Sequence, residues 1–210
     1  MTLKNSRLGF FLASSLMFLI IGGCASNDEL DSQANAAEQQ IYSEAQKYLR
    51  SKNYDMAIKA LQQLESRYPF GKYAEQAQLE IIYAHYGAYE PEAAIEAADR
   101  FIRLHPQHPS IDYAYYMKGL AAYSGNSNIF SRFLPTSESS RDTKHIEEAF
   151  TEFAQLLARF PESEYAADAR ARMVHLRNLL ARHEIDVANY YFLRGAYLAA
   201  VNRGRYVIEN

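Results

Sequence analysis

The sequence predicts an all-α fold, a solenoid of antiparallel helix pairs, from a recurring segment, a proline that closes each recurrence, and a scarcity of helix breakers between them. Residues 54–70 read YDMAIKALQQLESRYPF, residues 89–106 YEPEAAIEAADRFIRLHP, and residues 145–161 HIEEAFTEFAQLLARFP. Ala57, Ala94 and Ala149 each stand twelve residues before Pro69, Pro106 and Pro161. Apolar residues lie between them at helical spacing: Ala57, Leu61, Leu64 and Tyr68 in the first segment; Ile146, Ala149, Phe153, Leu156 and Phe160 in the third. A proline cannot continue a helix without losing a donor and clashing with the previous turn, so each acts as a stop. Only nine Gly and six Pro occur in 210 residues, so the stretches between stops are free to be helical.

The elements follow in chain order. Lys4 and Arg7 precede an uncharged run, LGFFLASSLMFLII at 8–21, which is too short to span a bilayer as a helix and fits the apolar region of an export signal. Ile21-Gly-Gly-Cys24 then places small residues before a cysteine, a pattern that resembles the bacterial lipobox. That resemblance implies cleavage after residue 23 and a lipid on the Cys24 thiol. Several acyl chains at about 0.8 kcal/mol per buried methylene anchor a protein stably, as a single chain does not. Ala25 stands where lipoproteins retained in the inner membrane often carry Asp, so the resemblance implies the outer membrane. Residues 24–40 are polar and read as the lipidated N-terminus and a flexible tether that turns helical near its end, with the folded part starting near Asn35.

The repeat domain is expected over 41–210, with units at about 41–70, 72–107, 109–161 and 163–210. A small residue at a close helix crossing and a closing proline resemble the tetratricopeptide repeat, whose unit is about 34 residues. In the first unit Ala45 and Tyr48 fall twelve and nine residues before Ala57. The second unit aligns on its end and reads as stretched by about two residues around Gly87 to Pro91. The third carries an insertion, 124–141, rich in Ser and Asn but with Ile129, Phe130, Phe133 and Leu134; it reads as a surface loop tucked back on the repeat or as a partner contact. Residues 163–194 hold neither Gly nor Pro and predict one long helix or two with a tight bend. Tyr197 and Ala200 repeat the placement of Tyr54 and Ala57, so the proline expected twelve residues on falls at 212 and the fourth unit reads as incomplete.

Composition narrows the function. With 22 Lys+Arg against 25 Asp+Glu and a net charge of −3, the chain lacks the cationic surplus that nucleic-acid binding needs. One cysteine excludes an intramolecular disulfide and a multi-cysteine zinc site. His105 and His108 belong to a proline-rich turn, and His175 and His183, eight apart, form no ligand motif, so no metal is expected. No nucleophile elbow or phosphate-cradling glycine loop is present, and Glu147-Glu148 and Glu162 with Glu164 sit at helix starts, where acids suit the dipole. Neither an enzyme nor a cofactor beyond the lipid on Cys24 is expected. The chain instead has 17 Tyr and no Trp, side chains that offer both an apolar face and a hydroxyl to a partner.

Three strings go beyond a generic repeat: RYPFG at 67–71, RFIRLHPQHP at 100–109 and DYAYYMKGL at 112–120. With the lipobox and YYFLRGAY at 190–197, they resemble the BamD lipoproteins of the outer-membrane β-barrel assembly machinery, also described as competence lipoprotein-like, over essentially the whole chain. The resemblance implies a periplasmic scaffold of tetratricopeptide repeats, lipid-anchored to the outer membrane. It also implies binding to the periplasmic domains of the insertase BamA, contacts with other Bam lipoproteins, and help in recognising unfolded outer-membrane β-barrel proteins. Family members usually carry a fifth repeat beyond the point where this sequence ends. On a face lined by first helices, Tyr83, Tyr86, Tyr113 and Tyr116 are the candidates for a substrate groove. Arg194, Asn202, Arg203 and Arg205, beside Gly195 and Gly204, are the candidates for a partner interface. The alternatives are a repeat lipoprotein that pilots a secretin or pilus machine, and a cell-wall-acting lipoprotein.

Overall fold

The computed structural model describes residues 26–124 and 143–209, all in helices and short turns. In order these are α1 (Ser26–Arg50), α2 (Tyr54–Arg67), α3 (Ala74–Gly87), α4 (Pro91–Leu104), α5 (Ile111–Ser124), α6 (Lys144–Arg159), α7 (Ala166–Leu193) and α8 (Tyr197–Glu209). Each helix packs on the next, and α3 also packs directly on α5, so successive first helices share one face. This is the layout of a tetratricopeptide-like solenoid.

Two expectations are revised. The stretch read as a tether up to residue 40 belongs to α1, which runs unbroken from Ser26. Its polarity suggested a linker, but no Gly or Pro occurs between Ser26 and Asn53, and the Ala, Gln and Glu there are good helix formers. The second unit is not stretched either: α1–α2 and α3–α4 are both joined by three residues, 51–53 and 88–90. Pro91 therefore occupies the place of Tyr54, and Tyr89 that of Lys52. Residues 163–194 resolve into one helix, α7, of 28 residues. Cys24 and the insertion beyond Ser124 lie outside the described residues.

The connections within units share one geometry. In 51–53, 88–90 and 194–196 the helix closes with a paired backbone bond, as in Tyr89 N–H to Tyr86 O and Glu90 N–H to His85 O, the Schellman pattern. The pattern needs a left-handed residue, and Lys52 (φ 57°), Tyr89 (φ 62°) and Gly195 (φ 75°) supply it. Only Gly195 does so free of strain; a side chain there costs roughly 1 kcal/mol.

The connections between units share another. The C-caps Tyr68, His105 and Phe160 hold nearly the same backbone angles (φ −132°, −127° and −133°), because each precedes a proline that excludes the helical region. An acid on the preceding first helix reaches each of these turns. The buried Glu38 carboxylate accepts Lys72 N–H (3.2 Å) and Tyr73 N–H (2.7 Å), capping α3, which has no side-chain cap of its own. Glu75 lies 3.5 Å from both His105 Nδ1 and His108 Nε2, and Ser163 Oγ donates to Asp112 (2.6 Å). A Cβ on Gly71 would stand 2.3 Å from a Glu38 oxygen, so the first turn needs glycine for close approach.

The core runs between the layers. Ala57, Ala94 and Ala149 are fully buried at the helix crossings, beside Leu61, Phe101, Phe153 and Leu176, whereas Ala200 is only half-buried. Lys118 on α5 ties α4 to α6 by pairing with Asp99 (2.9 Å) and Glu152 (3.0 Å).

Glu38→Ala is expected to destabilise the domain by roughly 1–3 kcal/mol by leaving the α3 N–H groups unpaired. Gly71→Ala is expected to do comparable damage alone and much less in the Glu38→Ala background. Urea unfolding of the four members of this cycle measures the coupling.

Candidate partner-binding face

The first-helix face carries a ladder of tyrosines pinned by carboxylates. On α1, Tyr42 stacks on Tyr73 (centroids 4.3 Å apart, 12° between planes) and donates to Glu80 of α3 (2.8 Å). Glu80 also accepts from Gln46 (2.5 Å) and Gln76 (2.9 Å), so it is held by three donors. One unit pair further on the arrangement recurs: Tyr116 of α5 stacks on Tyr165 (4.7 Å, 18°) and donates to Asp168 of α7 (2.6 Å). Tyr42 and Tyr116 each follow a turn-clasping acid, Glu38 and Asp112, by four residues, one helical turn.

Tyr113 stands beside the second stack, and Tyr83 lies further along α3 from Tyr73. Tyr113 meets Tyr165 at 5.8 Å, and its hydroxyl is driven above the ordinary tyrosine range by burial first, then by the neighbouring Tyr165, Tyr83, Glu80 and Tyr116. Tyr165 is pushed up to about 12 by burial and by Glu164. Tyr83 is exposed and meets Tyr54 edge-on at 6.0 Å. The Tyr54 hydroxyl is raised by its hydrogen bond with Tyr83, then by desolvation and by the fields of Tyr83 and Tyr89. The Tyr42 and Tyr116 hydroxyls are thus fixed by the carboxylates behind them, Glu80 and Asp168.

Of the four expected groove tyrosines, Tyr83, Tyr113 and Tyr116 come together on this face. Tyr86, like Tyr113 and Tyr116, is half-buried against the core, whereas Tyr83 is exposed. Sequence reasoning missed Tyr42, Tyr54, Tyr89 and the acceptors Glu80 and Asp168. The signal available for Tyr42 was the spacing of 37 residues that links Glu38, Glu75 and Asp112, since it fixes the register of the first helices.

The expected basic cluster lies at the α7–α8 end, and its members differ. Arg203 pairs with both carboxylate oxygens of Glu184 (2.9 and 3.1 Å), so it joins α8 to α7. Arg194 caps α7 and lies 4.5 Å over the Tyr190 ring, a cation–π contact. Asn202 and Arg205 are exposed, and so are Phe192, Leu193, Leu198, Val201 and Ile208 around them. Among the described residues no group of three or more His, Cys, Asp or Glu is placed to hold a metal, and no helix is long and apolar enough to cross a membrane.

Residues 34–210 match the family described as YfiO, outer membrane lipoprotein. The chain is 43% identical over 194 residues to the outer membrane protein assembly factor BamD of Neisseria meningitidis serogroup B, covering 90% of this chain and 73% of that one. It is 39% identical over 201 residues to BamD of Vibrio cholerae serotype O1, covering 96% and 81%. To BamD of Haemophilus influenzae it is 33% identical over 192 residues, covering 91% and 72%.

Asp168 is held below its ordinary 3.8 by the Tyr116 hydroxyl first and then by Arg172. A depressed carboxylate adds stability that is complete above its unfolded pKa and is lost as pH falls through the folded one. Asp168→Asn is thus expected to lower the melting temperature by roughly 1–3 °C at pH 6, a small effect because the carboxylate is half exposed. The two proteins should converge in thermal melts as pH falls through the lowered titration of Asp168.

Proposed function

The chain belongs to the BamD family of outer membrane protein assembly factors, and on that premise we propose that it is a non-catalytic scaffold of the β-barrel assembly machinery, anchored to the periplasmic face of the outer membrane by lipid on Cys24. The observation that carries this reading is 43% identity to a BamD over 90% of the chain. The relatives named above are outer membrane protein assembly factors, which weighs against the secretin-pilot alternative.

In this reading the first-helix ladder receives unfolded barrel substrates. An extended strand places same-face side chains about 6.8 Å apart, close to the 5.8 and 6.0 Å between the Tyr113–Tyr165 and Tyr54–Tyr83 rings. Barrel strands alternate apolar and polar residues and end in aromatic girdles, so one strand edge offers rings and aliphatic groups in register with the ladder. Because the tyrosines are already fixed by Glu80, Asp168 and the stacks, binding orders few side chains on the scaffold.

The α7–α8 end is the proposed seat of the periplasmic domains of BamA, with the exposed Arg194, Asn202 and Arg205 among Leu198 and Val201. Other Bam lipoproteins are further partners. Arg203 acts indirectly there, through Glu184, by keeping α8 on α7.

Binding of the lipidated protein in detergent to the purified periplasmic domains of BamA tests this. Arg205→Glu is expected to weaken binding about tenfold with an unchanged melting temperature, whereas Arg203→Glu should weaken binding and also speed hydrogen exchange throughout α8. Equal affinity of wild type and Arg205→Glu would remove the proposed seat. Absence of binding by wild type would overturn the scaffold reading.

A further inference from the structure

The turn that launches α3 differs from its two sisters in what it shows to solvent. Aligned on their prolines, the residues that follow Pro69, Pro106 and Pro161 are Phe70, Gln107 and Glu162, so the first turn carries an aromatic ring where the others are polar. That ring is 99% exposed. It is also rigidly presented, because Pro69 fixes the backbone before it and Gly71 is pressed against the Glu38 carboxylate after it. Leu104, 57% exposed, lines the same cleft of about 540 Å³ with Pro69, Phe70 and Lys72. Charge is graded in the same order. Residues 67–73 hold two cations, Arg67 and Lys72, and no acid; residues 104–110 hold no Lys, Arg, Asp or Glu; residues 159–165 hold Arg159 against Glu162 and Glu164. Among the described residues Arg67 and Lys72 form no ion pair, whereas the acids of the cleft are engaged, Glu65 by Arg100 and Glu75 beside His105 and His108.

The grading follows distance from Cys24. Helix α1 begins at Ser26, two residues on, and runs unbroken to Glu38, whose carboxylate holds the Lys72 and Tyr73 N–H groups. Those twelve residues span about 18 Å of helix, so the first turn is tied close to the anchored end, and each later turn stands one unit further along the solenoid. We propose that Phe70, with Leu104, Arg67 and Lys72, is a second membrane contact, in which the ring enters the interface of an anionic leaflet and the cations meet its phosphates. A bilayer is favoured over an acidic protein as the occupant because apolar exposure and positive charge at the turns both fall away from the anchored end. The acids nearest the anchor, Asp28, Glu29 and Asp31, stand in the first two turns of α1, where the positive end of the helix offsets them. Acyl chains on Cys24 hold one end of the protein at the surface, and that proximity lets a weak second contact form and fix the tilt of α1. This inference rests on the lipid anchor proposed above.

The chain has no Trp, so Phe70→Trp supplies a single fluorescent reporter at an exposed site, with Gln107→Trp and Glu162→Trp as its counterparts at the other turns. Each full lipidated chain, its Cys24 checked by mass spectrometry, is reconstituted into vesicles of phosphatidylethanolamine and phosphatidylglycerol that carry bromine on their acyl chains. Phe70→Trp should be quenched about twofold, whereas Gln107→Trp and Glu162→Trp should keep their full emission. Adding Lys72→Glu should remove most of the quenching, as should exchanging phosphatidylglycerol for phosphatidylcholine. Unchanged melting temperatures establish that the exposed substitutions leave the fold intact. Equal emission of Phe70→Trp and Gln107→Trp in a lipidated chain would overturn the contact and leave the anchor standing. So would a Phe70→Trp signal shielded only when the periplasmic domains of BamA are added, which would make the turn a protein contact. A chain without lipid on Cys24 would overturn both readings.

Discussion

The register of the solenoid depends on one contact made at each junction, an acid on a first helix reaching the turn that launches the next unit. Glu38, Glu75 and Asp112 are 37 residues apart, and they meet the turns at Gly71 and its following N–H groups, at His105 and His108, and at Ser163. The chemistry differs each time, but the constraint is the same. A helix that ends at a proline hands over to a helix whose first N–H groups have no internal partner. At the first junction the Glu38 carboxylate answers both the orphan donors and the positive end of the next helix. Since apolar packing alone is non-directional, this contact fixes how far one unit is rotated on the next.

From that register the tyrosine face follows. One helical turn beyond Glu38 and Asp112 stand Tyr42 and Tyr116, and one residue before the next helix stand Tyr73 and Tyr165. Fixing acid to turn therefore also fixes ring on ring, and the two stacks are nearly parallel as a result. The hydroxyls then fall to Glu80 and Asp168 on the following first helix. Junction and tyrosine ladder are thus opposite ends of the same few side chains, so a change at a turn is felt on that face.

Much of this was legible in the sequence, and the failures have physical causes. The alanines and prolines announce the helix pairs because close crossings and helix stops each admit few residue types. The second unit misled because Tyr89 and Tyr54 look equivalent by identity, while their backbone positions differ by two residues. Of the three left-handed positions only the third is a glycine, so the rule that would locate the connections is visible once. The start of α1 was hidden because a polar stretch carries no apolar period, and its order comes from the helix formers there and from Glu38, whose partners are more than thirty residues away. Arg203 is among the partner-interface candidates, and its tie to α7 is not visible in the sequence for a related reason: Glu184 lies nineteen residues before it and becomes a neighbour only once α8 folds back on α7.

The two proposed partner surfaces differ in how firmly the protein holds them. Tyr113 and Tyr116 stand on α5, which also buries Ala114, Tyr115, Met117 and Leu120 in the core. That surface is set before anything binds. No residue of α8 is buried, and the Arg203–Glu184 pair is an attachment of an exposed cation, which adds modestly in water. In a solenoid each unit is stabilised mainly by its immediate neighbours. A partner seated on α8 therefore removes Leu198 and Val201 from water and supplies the packing that the helix lacks, so affinity and order at that end rise together. In the proposed function, an extended substrate on the ladder would meet a template that is already formed, and a partner at α8 would meet an adaptable end.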